Sequence, residues 1–150
     1  MRYLFLLVAV AAALVSAQSA AADAVYHSEH MRLSPVGGAP LQSGFVQNIH
    51  PNGPNVYARE RYVLNGALAH QRYEVRLLVH LFDPTCSNAP TPFRSTALDT
   101  NASGNGSAQL LLRPEDVPAA VRNATHGVQW EVWRSGMLAY RTACTSVELD

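Results

Sequence analysis

The sequence predicts an all-β fold: an antiparallel β-sandwich of about seven strands, held by one disulfide and preceded by a signal peptide. Three observations carry this reading. Apolar residues recur with period two, as a half-buried strand requires. Clusters of Gly, Pro and Asn separate the short apolar segments. No stretch sustains helical periodicity. Many short strands between turn signals, with no long helix, make a sandwich or a small barrel.

The elements follow in chain order. Arg2 and the unbroken apolar run Tyr3 to Val15 precede small residues, which is the order of a secretory signal peptide. Cleavage after Ala17, Ala20, Ala22 or Ala24 satisfies the small-residue rule, so we take 1–24 as the signal and 25–150 as one sandwich domain. Thirteen apolar residues are too few for a membrane anchor, which needs about 20. Val25 to Leu33 and Val56 to Leu64 read as strands with less regular alternation. Residues 35–54 hold four Gly and four Pro and read as loop, with a short edge strand near Phe45 to Ile49.

Arg72 to Phe82 is the clearest strand: Tyr73, Val75, Leu77, Val79 and Leu81 share one face. Asp83 to Phe93 is Pro-rich loop around Cys86. Leu98 to Thr100 and Ala108 to Leu112 flank a turn-rich stretch, 101–106, and read as a hairpin. Pro114 to Val117 gives one turn of helix, with Pro at the first-turn position and acids beside it. His126 to Arg134 alternates again, and Ser135-Gly136 turns it into Met137 to Leu149.

Composition narrows the function classes. The 150 residues carry 11 Arg, no Lys and 11 acidic residues, for zero net charge. A nucleic-acid binder would show a basic excess, and so would a polybasic membrane surface. The 48% hydrophobic fraction is inflated by the first 24 residues, and the remainder holds about 42%. Cys86 and Cys144 are the only cysteines, and in an exported chain they form one bridge. It closes a 59-residue loop and ties the Pro-rich segment to the final strand, for about 4 kcal/mol by chain-entropy arithmetic.

Leu64-Asn-Gly-Ala-Leu68 leading to Tyr73-Glu-Val resembles the corresponding run of fibronectin type III and other immunoglobulin-like domains. Leu98 to Gly106 is similar to a hairpin of bacterial immunoglobulin-like modules. The closing segment, His126-Gly-Val to Trp130, then Ala139 to Cys144 and Val147 to Asp150, resembles small secreted bacterial proteins of unknown role. The resemblance implies an immunoglobulin-like sandwich and no particular activity. Trp130 lies between the cysteines in sequence, but Cys86 sits in a loop, so the antibody pattern is not met.

Few residues carry chemistry. No G-x-S-x-G elbow or strand–turn–helix supports a nucleophile, and Glu115-Asp116 fit a turn N-terminus better than acid–base work. We read the chain as not an enzyme and without a cofactor. The alternative is copper. His27 and His30 form H-x-x-H, although an i,i+3 pair on a strand points to opposite faces. Cleavage after Ala24 would place His27 third from a free amine, a nitrogen set suited to Cu(II).

Aromatics give the stronger signal. Trp130 and Trp133 fall on opposite faces of one strand, so one belongs to the core. The other, taken as Trp133 with Tyr140 as its cross-strand neighbour, would form an outer contact surface for an extracellular protein or glycan. The register depends on the turn type. Asn101, Asn105 and Asn123 open N-glycosylation sequons. The expected role is therefore a secreted or periplasmic binding module with no membrane span and no nucleic-acid partner.

Overall fold

The computed structural model describes residues 27–50, 58–122 and 124–149. The signal-peptide reading and its cleavage positions lie outside them. Two antiparallel sheets pack face to face. The first has the order β1 (His27–Arg32), β3 (Ser43–His50), β4 (Ala58–Asn65) and β7 (Gly106–Leu112). The second runs from β2 (Ser34–Pro35) through β9 (Met137–Arg141), β8 (Ala124–Arg134) and β5 (Arg72–His80) to β6 (Thr91–Asp99). β10 (Thr145–Leu149) pairs with the first half of β8, beyond the point where β9 leaves it. Single 3-10 turns cover Pro114–Asp116 and Ala119–Val121, the first where the sequence places a helical turn.

Alternation decides which residues meet. On β4, Ala58, Glu60, Tyr62 and Leu64 are buried, while Arg59 and Arg61 are exposed. On β5, Tyr73, Val75, Leu77 and Val79 join them from the other sheet, with Trp130 and Val132 of β8 beside them. Full burial of such a side chain is worth about 1.5–3 kcal/mol, so this two-faced apolar pattern is what holds the sheets together. No helix among the described residues is long and apolar enough to cross a membrane.

Three expectations change. The strand near Phe45 is not an edge: β3 is eight residues long and lies between β1 and β4. Glycine and proline density marked this segment as loop, but Gly44 serves close packing against the Val63 carbonyl and the Leu33 side chain. Leu98 to Leu112 is not a hairpin, because β6 pairs with β5 in one sheet and β7 with β4 in the other. The turn between them carries the chain across the sandwich. Met137 to Leu149 is interrupted at residues 142–144, where Thr142 binds back to Trp130, so Cys144 precedes the last strand rather than lying in it.

The two turn segments that carried the immunoglobulin-like resemblance touch each other. Asn105 Oδ1 accepts the Gly66 N–H at 3.0 Å, and Gly104 O accepts the Ala67 N–H at 3.0 Å. Asn101 Oδ1 holds its own turn through the N–H groups of Ser103 and Asn105. The β4–β5 and β6–β7 connections between sheets are thereby fixed at one end of the sandwich.

At the opposite end, the bridge Cys86–Cys144 closes over β8, with Cα atoms 6.0 Å apart. The loop after β5 is built on Asp83, whose carboxylate accepts from the N–H groups of Thr85, Ser87 and Asn88 and from the Thr85 hydroxyl. Those bonds hold its carboxyl down at about 2. The loop lies directly on Gly127, where a Cβ would come within 2.4 Å of the Asp83 carbonyl and 2.7 Å of Cys86 Sγ. Glycine is needed here for space.

Candidate functional site

The closing hairpin explains where its aromatics go. Ser135 and Gly136 both have positive φ, +50° and +77°, which is the type I′ turn that matches strand twist. Arg134 pairs with Met137 and Trp133 with Leu138. A regular ladder would then set Tyr140 opposite Glu131, on the outer face. Instead β9 inserts one extra residue, and Tyr140 falls opposite Val132. Tyr140 is therefore 0% exposed, which corrects its expected place beside Trp133 on the surface. Its hydroxyl donates to the Pro40 carbonyl at 2.7 Å, and Tyr73 lies 3.4 Å away, oxygen to oxygen.

Trp133 does stand on the outer face of the second sheet, half-buried. Glu74 is directly opposite it on β5. Arg76, one diagonal step along, places its guanidinium 4.6 Å from the indole centroid. Arg76 is itself held by a two-bond pair with Glu74, at 2.8 and 2.9 Å. The indole N–H donates to Glu131 at 2.8 Å. The ring is thus oriented by three charged neighbours, of which the sequence alone points to Glu131 and not to Glu74 or Arg76. Period two places Glu74, Arg76 and Glu131 on that face, and this was the available signal.

Beside the ring lies an open groove of about 570 Å³, with Trp133, Arg72, Ser95, Thr96, Ser135 and Gly136 among its walls. Arg76 covers part of the indole without lining the groove. Glu74, whose carboxyl is lowered by the Arg76 hydrogen bonds, adds a carboxylate acceptor. The groove offers one aromatic surface, hydroxyls that can donate or accept, and fixed charges already satisfied by partners. That set suits recognition of a polar ligand with an apolar face.

A second cluster lies inside. Glu60 is 1% exposed, and its Oε2 accepts hydrogen bonds from both the Tyr62 hydroxyl and the Trp130 indole N–H, the latter at 3.0 Å. Burial pushes the Glu60 carboxyl up to about 7, although both donated bonds pull it down. The cavity beside it, about 30 Å³ and walled mostly by Leu77, Val79, Phe93, Val128 and Val147, has room for about one water. It is too small for a substrate. Glu60 escaped the sequence reading, though it stands in the same inward set as Tyr62 and Leu64.

The histidines do not converge. His30 is exposed on β1 and stacks on Phe45, ring centroids 4.2 Å apart. His27 opens β1, and the preceding residues that would complete its nitrogen set lie outside the described range. His80 Nδ1 donates to the Asn88 carbonyl at 2.8 Å. His126 accepts the Phe82 N–H at Nδ1 and donates from Nε2 to Val121, so it is a structural link between loops. Among the described residues, no three His, Cys, Asp or Glu side chains group to hold a metal ion. Asn101 and Asn105 are engaged in the turn, and Asn123 lies outside the described residues.

Comparison with family models, with curated proteins and with solved structures finds no match for this chain.

Proposed function

We propose that the protein is an exported, non-catalytic binding module whose Trp133 groove takes a neutral sugar chain. The observation that carries this is the oriented, half-exposed indole forming one wall of a hydroxyl-lined groove. A pyranose ring presents an apolar face to an aromatic and hydroxyls to the polar walls, which is the combination this groove can satisfy. Export is supported by the leader-like first 24 residues together with the disulfide. The strand pairings support the immunoglobulin-like reading: β4 beside β7, and β5, β8 and β9 in sequence, correspond to the B–E and C–F–G pairings of that architecture.

Affinity electrophoresis through gels containing soluble β-glucan or glycol chitin tests the reading. Retardation of the wild type, lost in Trp133→Ala, is expected. Free migration of the wild type in both gels would overturn it.

A further inference from the structure

The zero net charge of the chain conceals an uneven surface. Arg72, Arg76, Arg94 and Arg113 each pair with a carboxylate. Arg32, Arg59 and Arg61 have no ion pair among the described residues, and all three are exposed on the outer face of the first sheet. Arg59 and Arg61 are two residues apart on β4, about 7 Å along the strand, and Arg32 lies two strands away, about 10 Å across. Between and beside them stand Gln47 and Gln109, in one row with Arg61. Phe45, with the His30 ring stacked on it, lies in the row of Arg32. The described strands place no Asp or Glu on this face.

We propose that this face binds an anionic polysaccharide, a chain bearing uronate or sulfate groups. Guanidinium groups meet carboxylates and sulfates through paired hydrogen bonds, and their separation here requires an anion repeated along an extended ligand. The glutamine amides supply donors and acceptors for the intervening sugar hydroxyls. The row His30, Gln47, Arg61 and Gln109, which crosses all four strands, matches an extended chain. A bilayer is disfavoured because Phe45, Ile49 and Val63 are only half-exposed within the pleat, and Leu111, opposite Arg59, is the single exposed large apolar side chain on the described strands of this face, too little to insert as a wedge. This surface lies on the opposite side of the sandwich from the Trp133 groove, and it stands or falls separately from the neutral-sugar reading.

Biolayer interferometry on immobilised alginate tests it, with dextran, phosphatidylglycerol vesicles and duplex DNA as comparison surfaces. The protein should bind alginate, and binding should weaken steeply between about 50 and about 200 mM salt. The double variant Arg59→Gln/Arg61→Gln should lose about tenfold or more in affinity. Trp133→Ala should bind alginate as the wild type does. All the substituted arginines are exposed, and coincident melting curves would verify that the variant is folded. Unchanged alginate affinity in the double variant overturns the proposal. So does equal or tighter binding to the vesicles or the DNA, which would assign the face to a different polyanion.

Discussion

The Trp130 indole N–H on β8 and the Glu60 carboxylate on β4 are joined by a 3.0 Å hydrogen bond that crosses the interior from one sheet to the other. Tyr62 donates to the same carboxylate oxygen. A buried carboxylate is costly unless donors meet it, and here two donors only partly offset burial, so the group stays protonated to about pH 7.

The pH dependence of stability follows. The unfolded chain loses this proton near 4.5 and the folded chain near 7. The stabilisation from the protonated form is fully present below pH 4.5, declines between 4.5 and 7, and is gone above, a change of about 3 kcal/mol at most. Glu60→Gln cannot titrate, so its urea-unfolding stability should be flatter across that window and should exceed the wild type at pH 8. Parallel curves for the two proteins would remove Glu60 from the account. Asp83 acts at the other extreme: its contribution is present above pH 3.8 and is lost as pH falls through about 2.

The inward rotation of Tyr140 separates two aromatics that the hairpin sequence sets close together. Tyr140→Ala empties a fully buried site and should cost about 3–5 kcal/mol in chemical denaturation. Trp133→Ala removes a half-buried ring and a cation–π contact, and should cost under about 2 kcal/mol. Equal losses would place both rings in comparable environments, against the inserted residue in β9.

Gly127 is a close-contact position. Gly127→Ala drives a methyl into the Asp83 carbonyl and the Cys86 sulfur, and should cost about 1–3 kcal/mol. The same substitution should speed hydrogen exchange at the N–H groups of Ser87 and Asn88, which the Asp83 carboxylate holds. A variant as stable as the wild type, with unchanged exchange, would mean that the loop does not lie on β8.

The sequence carried the strands whose one face is buried, and β5 and β8 were legible because alternation holds over most of their length, Arg72–Leu77 and Val128–Trp133, and fails only where both faces are covered. Sheet membership was not legible between β6 and β7, since a short Asn- and Gly-rich turn serves both a hairpin and a crossing between sheets. β3 was obscured by the glycines and prolines that surround it. Cys86–Cys144 followed from the count of two cysteines in a chain read as exported, whereas the bond from Thr142 back to Trp130 that breaks the last strand depends on tertiary contact. For the site, parity placed Trp133 on the outer face. It misplaced Tyr140 because one inserted residue reverses every side chain beyond it. Glu60 shows the converse: parity put it inside, but an ionisable residue is not expected there without its Trp130 partner, which lies 70 residues away.

The most direct test of the groove as a ligand site is a ¹H–¹⁵N titration of the protein with cellohexaose and chitohexaose, following the two indole N–H signals. The Trp133 signal should move together with the amides of Ser95, Thr96 and Gly136, while that of Trp130, fixed on Glu60, stays still. Absence of any shift with either sugar, or shifts confined to other faces, would contradict the account.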